Sequence, residues 1–150
     1  MSHVAQTTCP IDDIPSLAEA VQSLGCEFVE GQKSYAWWGV FVGDFPLPEG
    51  VKEEDLGKCN HAIKIPGCEW EVGVVESKTA PGTYNLLYDF FEGEGDRIHA
   101  KLGNKLGTLQ QRYALTRTKN TLARSGVKSR FNTDFTSLEV EEKEKEARFT

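Results

Sequence analysis

The sequence predicts an α+β domain, an antiparallel sheet with two helices on one face, broadly ferredoxin-like. Two segments, 12–25 and 104–125, place apolar residues at helical spacing, and several strand-like stretches lie between them. The order strand, helix, several strands, helix, strand gathers the helices against a sheet, without the regular βα alternation that marks a parallel one. At 150 residues with 39% hydrophobic and 10% aromatic content, the chain fits one globular domain, 1–150, with a single real core.

The elements follow in order. "HVAQTTC" (3–9) is a first strand. "DDIPSLAEAVQSLG" carries an acid ahead of a proline suited to a first helical turn, and Gly25 to stop it. Ile14, Leu17, Ala18, Val21 and Leu24 form its stripe. "EFVE" begins an extended stretch, and "YAWWGVFVG" (35–43), apolar on both faces, reads as a central strand. Residues 44–60 form an inserted loop with one helical turn near Glu53–Leu56, longer than ordinary connections and so a candidate functional loop. "HAIKI" is a short strand, and Pro66–Gly67 turns the chain into a hairpin. The second helix runs Asn104–Ser125, with Leu102, Leu106, Leu109, Tyr113 and Leu122 as its stripe and Gly126 closing it. A charged C-terminal hairpin, 131–150, has strand-like pieces near 131–140 and 146–150.

The hairpin 69–91 sets its own register. Pairing Ser77 with Thr83 leaves the loop Lys78–Gly82 and brings Trp70 against Phe90, Val72 against Tyr88 and Val74 against Leu86. One face is then uniformly apolar, whereas a slip by one residue sets Trp70 opposite Asp89. The same register puts Glu71 opposite Asp89 on the other face, with Glu69 two residues away. Like charges directly opposed destabilise a sheet. Solvent, Lys64, the basic helix, a basic partner or a cation could offset the repulsion, although no Mg²⁺ or Ca²⁺ loop signature accompanies these carboxylates.

The net charge of −6 conceals a partition. Residues 1–96 hold 17 acids and 5 bases, residues 97–130 hold 9 bases and no acid, and residues 131–150 hold 6 acids and 3 bases. Blocks of −12 and +9 in one chain attract each other within the fold or between copies. On the second helix Lys101, Lys105 and Arg112 lie near one side, and Arg117 and Arg124 form another row. Its apolar stripe packs on the sheet's apolar face, so the expected source of positive charge for the acidic face is another copy or another protein. Glu69, Glu71 and Asp89, with Arg112, Arg117 and Arg124, are the candidate partner-binding residues, and a homo-oligomer is expected. Phosphate contact by the basic helix is the nucleic-acid alternative, opposed by the overall acidic balance.

Other chemistry is sparse. Cys59, His61 and Cys68 have zinc-binding types, but their spacing matches no standard site and no CxxC occurs. Trp37, Trp38 and Phe41 could stack bases, although strand aromatics more often fill a core. The three histidines, His3, His61 and His99, have no visible nucleophile or acid partner. No GxSxG, glycine-rich phosphate loop or HExxH is present. No catalytic residue, metal or cofactor is therefore expected, and a small enzyme or metal protein centred on Cys59, His61 and Cys68 is the third reading. No apolar run approaches the roughly 18 residues of a membrane span. The start lacks a basic region followed by an apolar one, so a cytoplasmic protein with reduced cysteines is expected.

The ordered segments "MSH", "DIPSLAEAVQSLG", "AIKIPGCEWEVGVV", "YNLLYDFFEG" and "LQQRYALTRTKNTLARSGV" resemble a small family of uncharacterised proteins. It is the hypothetical chloroplast reading-frame type, shared by plastids, cyanobacteria, bacteria and tailed phages. The inserted loop 44–60 and a final hairpin without a glycine turn depart from its pattern. The resemblance implies a small soluble α+β protein, an adaptor role beside an AAA-type ATPase, and no site residues to carry over.

Overall fold

The first helix forms around its capping chemistry. In the computed structural model, which describes residues 2–7 and 9–141, α1 spans Ile14–Ser23. The Asp13 carboxylate accepts from Ser16 N at 3.3 Å and from Ser16 Oγ at 2.8 Å, filling an orphan donor of the first turn. Gly25 takes φ 78° just past the end of the helix, a left-handed value that costs glycine little. Leu17, Ala20 and Val21 are fully buried along the inward stripe.

Five strands make one antiparallel sheet in the order β1-β5-β4-β3-β2. They are β1 Val4–Gln6, β2 Glu27–Glu30, β3 His61–Lys64, β4 Glu71–Glu76 and β5 Tyr84–Asp89. β2 to β5 meander, and β1 joins at the β5 edge, so α1 links strands on opposite edges. The β4–β5 register is the expected one: Val74 pairs with Leu86, and Ser77 N donates to Thr83 O at 2.8 Å. With the helices below, the order is βαββββαα, in place of the βαββαβ order of ferredoxin-like folds.

The helical region after β5 begins ten residues earlier than expected and is broken in two. α2 spans Glu94–Leu102 and α3 spans Gly107–Arg124, with a 3₁₀ turn at Asn104–Leu106 between them. Glycines, poor residues for a helix interior, are what build α2. Gly93 precedes it at φ 88°, and its N–H is held by Asp96 Oδ2 at 3.1 Å. A Cβ on Gly95 would fall 2.2 Å from the Phe90 carbonyl carbon, so the helix seats on the end of β5 only with glycine there. Leu17, Val21, Ile98, Leu102, Leu106 and Leu109 pack with Ile63, Trp70, Val72, Val74, Leu86 and Tyr88 into one core. Each fully buried aliphatic or aromatic side chain contributes about 1.5–3 kcal/mol.

Residues 35–43 are not a strand, which corrects the expectation. Gly39 at φ 95° and Gly43 at φ 74° break the extended path, and the segment belongs to an irregular connection running from Gly31 to Asn60. The helical turn expected near Glu53–Leu56 is present as a 3₁₀ turn at Glu53–Asp55. Most of the connection lies over the sheet face opposite the helices, while its Trp38 and Phe45 meet Trp70 and Phe90, which pack in or against the helix-side core. On that opposite face Tyr35, Leu56 and Cys59, with Trp37, Phe41, Leu47 and Val51 around them, pack on Val4, Ala62, Val75 and Leu87. The sheet thus has a core on each side, where the sequence suggested one apolar face and one acidic face.

The strand-like piece at 131–140 is itself a hairpin, β6 Ser129–Phe131 with β7 Leu138–Val140. Asn132 Oδ1 replaces a glycine turn by accepting from Thr136 N and Ser137 N at 2.8 and 2.9 Å. The piece expected at 146–150 lies outside the described residues. Among the described residues no helix is long and apolar enough to cross a membrane.

Candidate functional site

The paradox of paired carboxylates is answered by the loop. Asp89, fully buried at the end of β5, accepts from three backbone amides: His3 N at 3.0 Å, Phe91 N at 3.0 Å and Trp38 N at 3.3 Å. Glu71 Oε1 accepts from Ala36 N and Gln32 Nε2, each at 2.9 Å. Its other oxygen lies 3.6 Å from Lys64 Nζ. Glu71 N also donates to Ala36 O at 2.9 Å. Residues 36–38 are therefore stitched to both carboxylates, and the charge that seemed to need a partner satisfies loop amides that no regular strand would pair. Glu69 remains exposed, its N–H held by Glu94 Oε2 at 2.7 Å.

This anchoring gives the loop two sides. Tyr35 is buried over Gly73, where a Cβ would fall 2.3 Å from the ring. Its hydroxyl is buried beside Gly57 and has no hydrogen-bond partner among the described residues, and burial pushes its pKa to about 12. On the other side Trp38, Val40 and Val42 stand out into solvent, 50%, 56% and 56% exposed. Aromatics expected in a core strand are thus split between an inner set, Trp37 and Phe41, and an outer Trp38. Sequence reading missed this row. Gly39 and Gly43, flanking Val40 and Val42, were the available signal.

The arginines of α3 are engaged with the start of α1. Arg117 holds Asp12 through two bonds, Nε to Oδ1 at 2.6 Å and a second nitrogen to Oδ2 at 2.9 Å. The Tyr113 hydroxyl donates to Asp12 Oδ1 at 3.0 Å and accepts from the amides of Asp12 and Asp13. Arg124 reaches Asp13 at 3.4 Å. Arg112 bonds Ser23 Oγ at 2.7 Å, and its guanidinium lies 4.0 Å over the Phe135 ring. The structure brings Arg112, Arg117 and Arg124 to the α1–α3 side and leaves Glu69, Glu71 and Asp89 at the sheet. It does not bring the two sets together. Nor do the arginines form a free row turned to phosphate.

Cys59 and Cys68 also lie apart, Cys59 in the loop-side core and Cys68 against the helix-side core. Cys59 Sγ donates to Gln32 O at 3.2 Å and Cys68 Sγ to Glu94 O at 3.5 Å. Burial pushes both thiols up to about 11, so both stay protonated near neutrality. His61 Nδ1 accepts from Gly31 N at 2.9 Å, fixing the start of the loop. Among the described residues no three His, Cys, Asp or Glu side chains converge as a metal site. Comparison with protein-family models, curated proteins and solved structures finds no match.

Proposed function

We propose that this chain is a non-enzymatic protein-binding module that self-associates through its anchored loop. The observation that carries the reading is the outward row Trp38–Val40–Val42 on a loop pinned by two carboxylates. Scattered surface apolar residues are ordinary, but three within five residues, on a segment anchored at Ala36, Trp38 and Val40, concentrate exposed apolar area on backbone held in place. Residues 44–55 of the same loop carry five acids and one lysine, so the fitting surface is apolar at its centre and basic at its rim. Two such loops face to face would repel. In the acid-free stretch 97–130 of a second copy, Lys101, Lys105, Lys119 and Lys128 make no ion pair among the described residues, and these bases favour a head-to-tail contact.

Trp38 supplies most of the affinity, and the charges supply orientation and salt dependence. Three exposed side chains fall well short of the roughly 800 Å² per partner of a standard interface, so the association is weak. Light scattering coupled to size exclusion, across concentration and salt, tests it. Mass above that of one chain at low salt, lost on adding salt and in Trp38→Ser, is expected. A strict monomer at about 100 μM and low salt, where contacts of about −5 to −8 kcal/mol are detectable, overturns the reading.

A further inference from the structure

A second feature lies on the helical side, at the edge where β1 meets the α2–α3 junction. A cleft of about 680 Å³ opens there, within the size range of small-molecule sites. Its apolar wall is aromatic: Phe45 meets Phe90 edge-on at 5.1 Å, and Phe90 stacks on His99 at 6.2 Å and 16°. Tyr88 closes the floor, its buried hydroxyl 3.0 Å from His99 Nε2. That hydroxyl has no other partner among the described residues. It is satisfied as a donor only if Nε2 accepts, and His99 then carries its proton on Nδ1 as a donor.

The rim carries the second clue. Lys105 and Leu106 stand consecutively in the left-handed region, at φ 55° and 58°, a conformation costly for side chains with a Cβ. Leu106 has a structural reason, being fully buried in the core. Lys105 has none of that kind. It is exposed, and its ammonium makes no ion pair or hydrogen bond among the described residues. Gln110 Nε2 braces the turn by donating to Lys105 O at 2.9 Å. A strained position that glycine would fill without cost instead keeps a lysine at the mouth of an aromatic cleft. Among the described residues no carboxylate lines that cleft.

We propose that this cleft binds a small amphipathic anion. Its flat apolar body lies along Phe45, Phe90 and His99, and its anionic group sits at Lys105 and Asn104. The absence of lining carboxylates removes the repulsion such a ligand would meet elsewhere on an acidic protein. Phe45 comes from the same connection as the loop row, but Trp38, Val40 and Val42 do not line the cleft.

The probe is 1-anilinonaphthalene-8-sulfonate, an aromatic body with one anionic group, titrated by fluorescence. Two variants leave the fold intact. Gly107 lines the cleft in ordinary helical geometry with nothing within 4 Å of a built Cβ, so Gly107→Leu adds apolar bulk to the cleft from a Cβ position that is open. Lys105→Gly removes the charge and relieves the left-handed strain. Saturable binding to the wild type, abolished by Gly107→Leu and weakened about tenfold by Lys105→Gly, with thermal stability of the glycine variant equal or higher, is expected. Trp38→Ser, on the separate row, should leave binding unchanged. No saturable binding up to about 1 mM, the weak end of specific affinities, overturns the proposal. So does binding that survives Gly107→Leu or is lost in Trp38→Ser.

Discussion

The two faces of the sheet are covered by different physics. On one face α1, α2 and α3 lay down periodic apolar stripes, and their backbone polar groups are satisfied inside each helix. On the other, some thirty residues from Gly31 to Asn60 cover the sheet without periodicity, so each buried amide must find its own acceptor. Asp89, Glu71 and His61 do this by side chain for Trp38, Ala36 and Gly31, and Asn60 Oδ1, at the end of the connection, accepts in turn from Glu76 N of β4 at 2.8 Å. The helical face therefore rests on area, and the loop face on a few specific hydrogen bonds. Two cores of one sheet should fail differently.

The largest effect is expected on the helical side. Trp70 is 9% exposed, packs in the helix-side core and meets Trp38 edge-on at 6.2 Å. Trp70→Ala should cost about 3–5 kcal/mol, read by denaturant unfolding. A loss under about 1 kcal/mol, the scale of a surface change, would show that the helical face does not depend on area as described.

Asp89→Asn preserves shape and removes one acceptor oxygen from a set of three amides. An amide left facing an NH₂ group should cost about 2–3 kcal/mol. The cost should be local: Cys59, beneath the loop, should react faster with iodoacetamide, while Cys26, buried in the helix-side core, should not change. In the wild type exposed Cys9 should be alkylated first. Equal acceleration at Cys26 and Cys59 would merge the two cores into one cooperative unit. Gly73→Ala attacks the same face sterically. The new Cβ would meet the Tyr35 ring at 2.3 Å, and displacing that ring should cost about 1–3 kcal/mol. An unchanged midpoint would mean that Tyr35 moves aside freely.

The difference also explains what the sequence could disclose. α1 and the β4–β5 hairpin were legible because their signals are local: an N-cap, a proline, a stop glycine, and a register in which only one pairing keeps Trp70 away from Asp89. α2 was hidden because Gly95 is dictated by contact with Phe90, a tertiary fact that reads locally as a breaker. The loop was hidden for a stronger reason. Asp89 and Trp38 are separated by 51 positions, and Glu71 and Ala36 by 35. No window of sequence contains both partners. The pairing of Glu71 with Asp89 could be read as a problem, but its solution could not. The arginines of α3 were visible as a charge block, whereas their partners at the start of α1 lie about a hundred residues away.

The smallest effect concerns that last contact, and it separates the helical layer's charge pairing from its apolar packing. Arg117 holds the Asp12 carboxyl below the usual carboxylate range; burial opposes this, and the Tyr113 hydroxyl assists. The folded value is thus depressed relative to an unfolded value of about 3.9. The resulting stabilisation is fully present above that unfolded value and is lost as pH falls through the folded one. Both partners are largely solvent-exposed, so screening keeps the effect small. Arg117→Met should leave the apolar packing of α3 in place, lower the thermal midpoint slightly at pH 7, and flatten its fall between about pH 4 and pH 2. The Asp12 carboxyl carbon, followed by NMR, should titrate higher in the variant. Parallel acid limbs and an unmoved Asp12 titration would show that Arg117 only lies beside the carboxylate, leaving Tyr113 and the apolar stripe to hold the two helices together.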